Sequence, residues 1–141
     1  MPSMNDKKHG NQYGMNWISQ VKRLAIYFRD GLSCGYCGDS VENGASLCLD
    51  HIISRCDGGS NDASNLITAC KRCNDSKNSR SLTVFIKAVA AYVNHGLTSA
   101  QIRKHIVACT KRPLDIATAK SLVAARGSAS KVLQNLPAKQ Q

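Results

Sequence analysis

The chain has 141 residues, a formal net charge of +10 and seven cysteines. That length suits one modest domain with a small appendage, and no stretch approaches the roughly 18 consecutive apolar residues that a membrane span needs. The opening "MPSMNDKKHGNQYGMN" lacks the apolar centre of a secretory signal, so a cytosolic setting is expected. Reducing conditions and an odd cysteine count argue against a disulfide framework, which leaves metal binding as the default use of the thiols.

The charge is unevenly spread. Residues 1–80 hold ten Lys+Arg against eight Asp+Glu, and residues 81–141 hold nine against one, Asp115. A basic C-terminal part suggests a polyanionic partner, most often nucleic acid. Solubility alone accounts for it equally well.

In chain order, residues 1–16 are polar and aperiodic and read as a disordered leader. In "WISQVKRLAIYFRDG", Trp17, Ile18, Val21, Leu24, Ala25 and Phe28 form one helical stripe, with Asn16 as cap and Gly31 as stop. "CGYCG" is a tight turn. "VENGASLCLDHII" holds an Asn-Gly turn and suggests a hairpin leading into a strand. "SRCDGGSNDAS" is a loop by composition and "NLITAC" a second short strand. "KRCNDSKNSR" reads as a short helix, polar enough to be mostly exposed.

Past residue 80 the pattern is helical. Leu82, Phe85, Ile86, Val89, Ala90 and Val93 form a stripe that Gly96 ends. Thr98 and Gln101 have capping-box spacing before Ile102, Ile106 and Cys109. Pro113 breaks that helix, and "LDIATAKSLVAAR" starts another. Residues 127–141 read as a weakly ordered, flexible tail.

Cys34-x-x-Cys37 and Cys70-x-x-Cys73 are two knuckles of the kind that close a tetrahedral site. A closed four-thiolate site has no open position, so a structural Zn²⁺ is expected there, stapling a thin core. The 32 residues between the pairs exceed the spacing of common zinc ribbons, so something is inserted. Cys48 and Cys56 are near enough in sequence to compete for the metal. Cys109 fits as a small buried hydrophobe.

The insert contains "LDHIIS", a strand with Asp50 and His51 side by side, where burial normally excludes both types unless they are satisfied or used. From here to Lys77 the run "LDHIISRCDGGSNDASNLITACKRCNDSK" resembles the HNH endonuclease signature: Asp-His, a Gly-Gly loop, Asn-Leu, and C-x-x-C-Asn-x-x-Lys in order. With the lead-in "RDGLSCGYCG" the resemblance covers about residues 17–80. It implies an α+β fold with a ββα-metal core framed by the two zinc knuckles, a helix before it and a small helical region after it. The expected organisation is a leader over 1–16, a nuclease domain over 17–80, a basic helical region over 81–126 and a tail over 127–141.

The resemblance assigns His51 as the general base that activates water, a role suited to an imidazole titrating near neutrality. It assigns Asp50 and Asn74 as protein ligands of a catalytic divalent ion, and Asn65 as the residue that holds the loop and orients the base. Oxygen donors favour Mg²⁺ or Mn²⁺ over Zn²⁺ or Ni²⁺. Strand alternation sends neighbours to opposite faces, so Asp50 and His51 share a site only if the strand end is distorted. Lys77, one turn after Asn74, is either a phosphate contact or a solvated lysine. Arg55 and Arg72 are weaker phosphate candidates, with solvated surface favoured. Ser54 departs from the family, where many members have Pro. His9, His95 and His105 read as ordinary surface or helix-end residues.

The implied function is a metal-dependent DNA endonuclease or nickase that hydrolyses phosphodiester bonds, with Lys87, Arg103, Lys104, Lys111, Arg112 and Lys120 gripping the flanking backbone. Two alternatives stand beside it: a non-catalytic zinc-stabilised DNA-binding module, and a phage packaging accessory nuclease whose C-terminal helices dock on a protein partner. A basic helix face there favours DNA, and an apolar one favours docking.

Overall fold

Helix α1 (Gln20–Arg29) starts at Ser19, whose Oγ accepts the Lys22 N–H at 3.0 Å. The computed structural model describes residues 17–93 and 96–136. The leader, the expected Asn16 cap, His9, His95 and the last five residues lie outside them. Trp17 and Ile18 precede the helix instead of opening it, and the Arg23 guanidinium lies 5.3 Å from the Trp17 ring centroid. Gly31 and Leu32 both take positive φ (76° and 58°), which terminates α1 as its position in the sequence predicts.

The hairpin expected across Asn43-Gly44 does not form. A 3₁₀ turn over Val41–Asn43 is closed by Gly44 at φ 87°. Strand β1 (Leu47–His51) pairs antiparallel with β2 (Leu66–Cys70), across the long Gly-rich loop. The register sets Leu47 opposite Cys70, Leu49 opposite Thr68, Asp50 opposite Ile67 and His51 opposite Leu66. Both faces of this two-stranded sheet are covered, and β2 is buried at all five positions. One face, carrying Ile67 and Ala69, belongs to the main apolar core. The C-terminal part of α1 backs the other: Thr68 Oγ1 donates to Ile26 O, and Tyr27 OH to Leu47 O.

Helix α2 (Lys71–Lys77) follows β2 with no intervening loop. Helix α3 (Leu82–Tyr92) is capped by Ser81, and α4 (Ser99–Thr110) carries the full Thr98/Gln101 capping box that the spacing predicts. Their stripes, Phe85, Ile86, Val89, Ile102, Ile106 and Cys109, pack in one core with Tyr36, Ile67 and Ala69. Val93, expected on the α3 stripe, is 40% exposed just past the helix end. The core thus runs across residue 80, and the described part of residues 26–114 is one compact unit.

Residues 17–25 and 115–136 form a second unit. It contains α5 (Ile116–Arg126), capped by Asp115, and α6 (Ala129–Gln134), capped by Ser128. The Ala129 N–H donates to Gln20 Oε1 at 2.9 Å. Helix α6 stands where the sequence predicts a weakly ordered tail. Only Ala129 and Val132 of its six residues are buried, too short a pattern to register as a stripe. No helix among the described residues is long and apolar enough to cross a membrane.

A buried ion pair ties α1 to β2. Arg29 and Asp30 meet at 2.7 Å with both side chains at zero exposure. Arg29 also donates to Ala63 O and Leu66 O, and Asp30 Oδ2 accepts the Thr68 N–H. Removing one partner leaves the other charge buried and uncompensated. Asp30→Ala is expected to lower the free energy of unfolding by about 3–5 kcal/mol, read from the midpoint of a urea titration of the metal-loaded chain.

Candidate active site and metal centre

Cys34, Cys37, Cys70 and Cys73 bring four sulfur atoms within 4.8 Å of one another. Cys37 Sγ and Cys70 Sγ lie 3.8 Å apart, about the edge of a tetrahedron with ~2.3 Å metal–sulfur bonds. The first knuckle is shaped by N–H donors aimed at sulfur: Tyr36 N and Cys37 N to Cys34 Sγ, and Asp39 N to Cys37 Sγ. The second uses Cys73 N to Cys70 Sγ, which is also the N-cap of α2. Gly35 seats the first knuckle on β2. Its N–H donates to Thr68 O at 2.8 Å, and a Cβ there would come within 2.6 Å of Ile67 Cγ1.

The thiols behave as a set that lacks enough positive charge to ionise together. The hydrogen bond from Cys73 lowers Cys34 to about 5. Burial raises Cys37 to about 11, and the bond to Cys34 pushes Cys73 upward. A divalent cation resolves this conflict, and the four sulfurs are consistent with a zinc frame. Cys48 and Cys56, the expected competitors, stand outside the cluster. Cys48 contacts Ala69 O from mid-strand, with burial raising its thiol to about 12, and Cys56 is exposed in the loop. Cys109 is buried as expected and touches His105 Nε2 at 3.6 Å.

Asp50 sits on the core-facing side of β1 at 5% exposure. Its Oδ2 accepts the Tyr36 hydroxyl and pairs with Lys77 Nζ at 3.2 Å. Lys77 is fully buried and also donates to His51 O at 3.1 Å. The sequence offered Lys77 as a phosphate contact or a solvated lysine, but the fold makes it the counter-ion of Asp50. Burial raises the Asp50 carboxyl, while the Lys77 charge and the Tyr36 and Lys77 hydrogen bonds pull it back. Burial first, and then the Asp50 charge, push the Tyr36 hydroxyl well above its ordinary value, so it remains a donor.

His51 is the last residue of the strand and pairs with Leu66. Its Nε2 meets Asn61 Oδ1 at 2.8 Å. Asn65 clamps the loop from within: its Oδ1 accepts the Ile53 N–H, and its Nδ2 donates to Ile53 O and Ser60 O. Gly59 passes so close that a Cβ would sit 1.7 Å from Ile53 O. Asn74 is half-buried one turn before Lys77 on α2. Among the described residues no hydrogen bond reaches Asp50 Oδ1 or the Asn74 side chain, so both retain oxygen-donor capacity of the type a hard divalent ion takes.

Sequence reasoning missed Tyr36 and Asn61. Tyr36 is an unspecified position of a C-x-x-C turn, and Asn61 is one of several polar residues in a loop. Among the expected phosphate contacts, Arg55 is exposed in a 3₁₀ turn, and Arg72 is exposed with Nη2 3.5 Å from Cys37 Sγ. Lys87, Arg103 and Lys104 line one groove of about 500 Å³ between α3 and α4, floored by Ile86, Ala100 and Val107. Lys111 and Arg112 are exposed beyond α4, with Arg112 donating to Arg29 O. Lys120 is exposed on α5, in the other unit.

Residues 34–80 match the model of the HNH endonuclease family. The chain is also similar to the CRISPR-associated endonuclease Cas9 of Actinomyces naeslundii, at 37% identity over 84 residues, which covers 56% of this chain and 7% of that protein. The crystal structure of the Type II-C Cas9 enzyme from that organism aligns at a TM-score of 0.42 and 25% identity, over 75% of this chain and 13% of the other. The chain thus spans a small part of the relative it matches.

Cys37 and Cys73 hold their protons at neutral pH, whereas a bound metal needs thiolates. Metal uptake is therefore expected to release two or more protons at pH 7 and to weaken as pH falls. Calorimetry of Zn²⁺ binding in buffers of different ionisation enthalpy counts those protons. Release near zero would exclude these thiols as the ligands.

Proposed function

Residues 34–80 are an HNH endonuclease domain, and from that premise we propose that the chain is a metal-dependent endonuclease that hydrolyses DNA phosphodiester bonds. The observation that carries the proposal is a half-buried imidazole, His51, held by Asn61 and next in sequence to a buried carboxylate, Asp50, within the residues that match this family.

His51 takes the proton of the attacking water on its imidazole, which Asn61 orients. Asn65 with Gly59 fixes the loop that carries Asn61. Asp50 and Asn74 are the protein ligands of a catalytic Mg²⁺ or Mn²⁺, which suits their oxygen donors. Such an ion supplies charge stabilisation for the leaving 3′ oxygen. Zn²⁺ at the four cysteines is structural, since a closed thiolate site leaves no position for substrate.

Nucleic acid as the substrate class is supported by the cations that gather on the α3–α4 groove. Three positive side chains and no acid among its lining residues suit phosphates. These contacts grip the backbone and carry little sequence information. A domain arrangement of nuclease core over 17–80 and basic helices over 81–126 remains part of this proposal. Packing of α3 and α4 on the core gives grip and chemistry a common frame.

Purified protein is expected to convert supercoiled plasmid to nicked or linear DNA with Mg²⁺ or Mn²⁺ and not with EDTA. His51→Ala is expected to slow this by about 10²- to 10⁴-fold, measured as the single-turnover cleavage rate. A plasmid shifted on a gel yet never cut under any metal would favour the non-catalytic binding module.

Replacing Lys87, Arg103 or Lys104 by Ala is expected to weaken binding to all DNA sequences alike. Each loss should reduce the slope of log K against log salt by about 1, read by fluorescence anisotropy across a salt series.

A further inference from the structure

Tyr36 touches both centres of the domain. It lies between two of the four clustered cysteines, and its backbone N–H donates to Cys34 Sγ at 3.4 Å. At its other end its hydroxyl donates to Asp50 Oδ2. The side chain is fully buried, so the hydroxyl has no route to bulk water. Phe85 holds the ring edge-on, with centroids 4.9 Å apart at 82°. Gly35 holds the knuckle close to β2, where a Cβ would come within 2.6 Å of Ile67 Cγ1.

We infer that Tyr36 is a positioning residue through which the cysteine cluster orients the catalytic carboxylate. Tyr36 and Lys77 both occupy Oδ2 of Asp50, so the carboxylate is held at one oxygen and presents the other, Oδ1, which no hydrogen bond among the described residues reaches. A carboxylate fixed at one oxygen has little freedom to turn away, so less ordering is left for the moment of metal binding. The knuckle sets where the Tyr36 backbone lies, and a rigid ring carries that placement to Asp50. Integrity of the cysteine cluster is thereby transmitted to the divalent-ion site through one side chain.

This inference rests on the assignment of Asp50 as a ligand of the divalent ion. Tyr36→Phe removes only the hydroxyl. It keeps the ring, the Phe85 contact and the backbone N–H to Cys34, so fold and zinc are retained. The test is Mn²⁺ affinity, read as free Mn²⁺ by electron paramagnetic resonance, for wild type, Tyr36→Phe, Phe85→Leu and Asp50→Ala, with zinc content and melting temperature measured alongside. Tyr36→Phe is expected to weaken Mn²⁺ about 10- to 100-fold with its zinc in place, the usual effect of losing a partner of a metal-bound carboxylate. Phe85→Leu disturbs packing and keeps the hydroxyl, so it is expected to lower the melting temperature while holding Mn²⁺ nearly as tightly as wild type.

Wild-type affinity in Tyr36→Phe overturns the inference. So does an equal loss in Tyr36→Phe and Phe85→Leu, which would reduce Tyr36 to packing. If Asp50→Ala binds Mn²⁺ as wild type does, the assignment of Asp50 falls, and the inference falls with it for that separate reason.

Discussion

The closure of four sulfurs on one point is the constraint on which the rest of the domain depends. Cys70 is at once the last residue of β2, the N-cap of α2 and a member of the cluster. A strand therefore passes into a helix with no loop to absorb error, and the cluster sets the angle at which α2 leaves the sheet. That angle carries Lys77 under β1, where it reaches both Asp50 Oδ2 and His51 O. The first knuckle comes from a distant part of the chain and brings Tyr36 to the same carboxylate. A metal bound among these four sulfurs would reinforce this geometry.

Two buried ion pairs do different work within this frame. Arg29–Asp30 is fully enclosed, and its remaining hydrogen-bonding groups are spent on backbone atoms of the 63–68 segment. It joins a helix end to a strand and consumes its own valence. Asp50–Lys77 is also buried but incompletely used, since Asp50 Oδ1 keeps no protein hydrogen bond among the described residues. Desolvating either pair is costly, and neither is an efficient way to gain stability over apolar packing. The unspent oxygen is what distinguishes the Asp50–Lys77 pair from the Arg29–Asp30 pair.

Much of this was legible in the sequence, and what was not has physical reasons. The cysteine frame, the α3 and α4 stripes and the Thr98/Gln101 capping box are local patterns, and local patterns survive folding. The two strands were legible as well, but their partnership was not: Asn43-Gly44 signals a hairpin, while the pairing that buries both sheet faces joins β1 to a strand past the Gly-rich loop. Lys77 was misjudged because α2 looks polar by composition, and the carboxylate that buries it lies 27 residues earlier. Tyr36 and Asn61 carry no signal of their own. A hydroxyl aimed at Asp50 and an amide aimed at His51 are products of tertiary structure, and no periodicity reports them. The core crossing residue 80 was hidden for a related reason, since a stripe announces that a helix is buried and not what it is buried against.

The burial of Lys77 also bears on how a polyanion would be held. The buried pair with Asp50 leaves that lysine no freedom to serve a phosphate without uncovering the carboxylate. Cations outside the ββα core lie where acids are nearly absent from the sequence. Lys87, Arg103 and Lys104 meet on one groove of α3 and α4, whose opposite sides pack on Tyr36 and Ile67. The groove and the carboxylate are thus two faces of the same packed core.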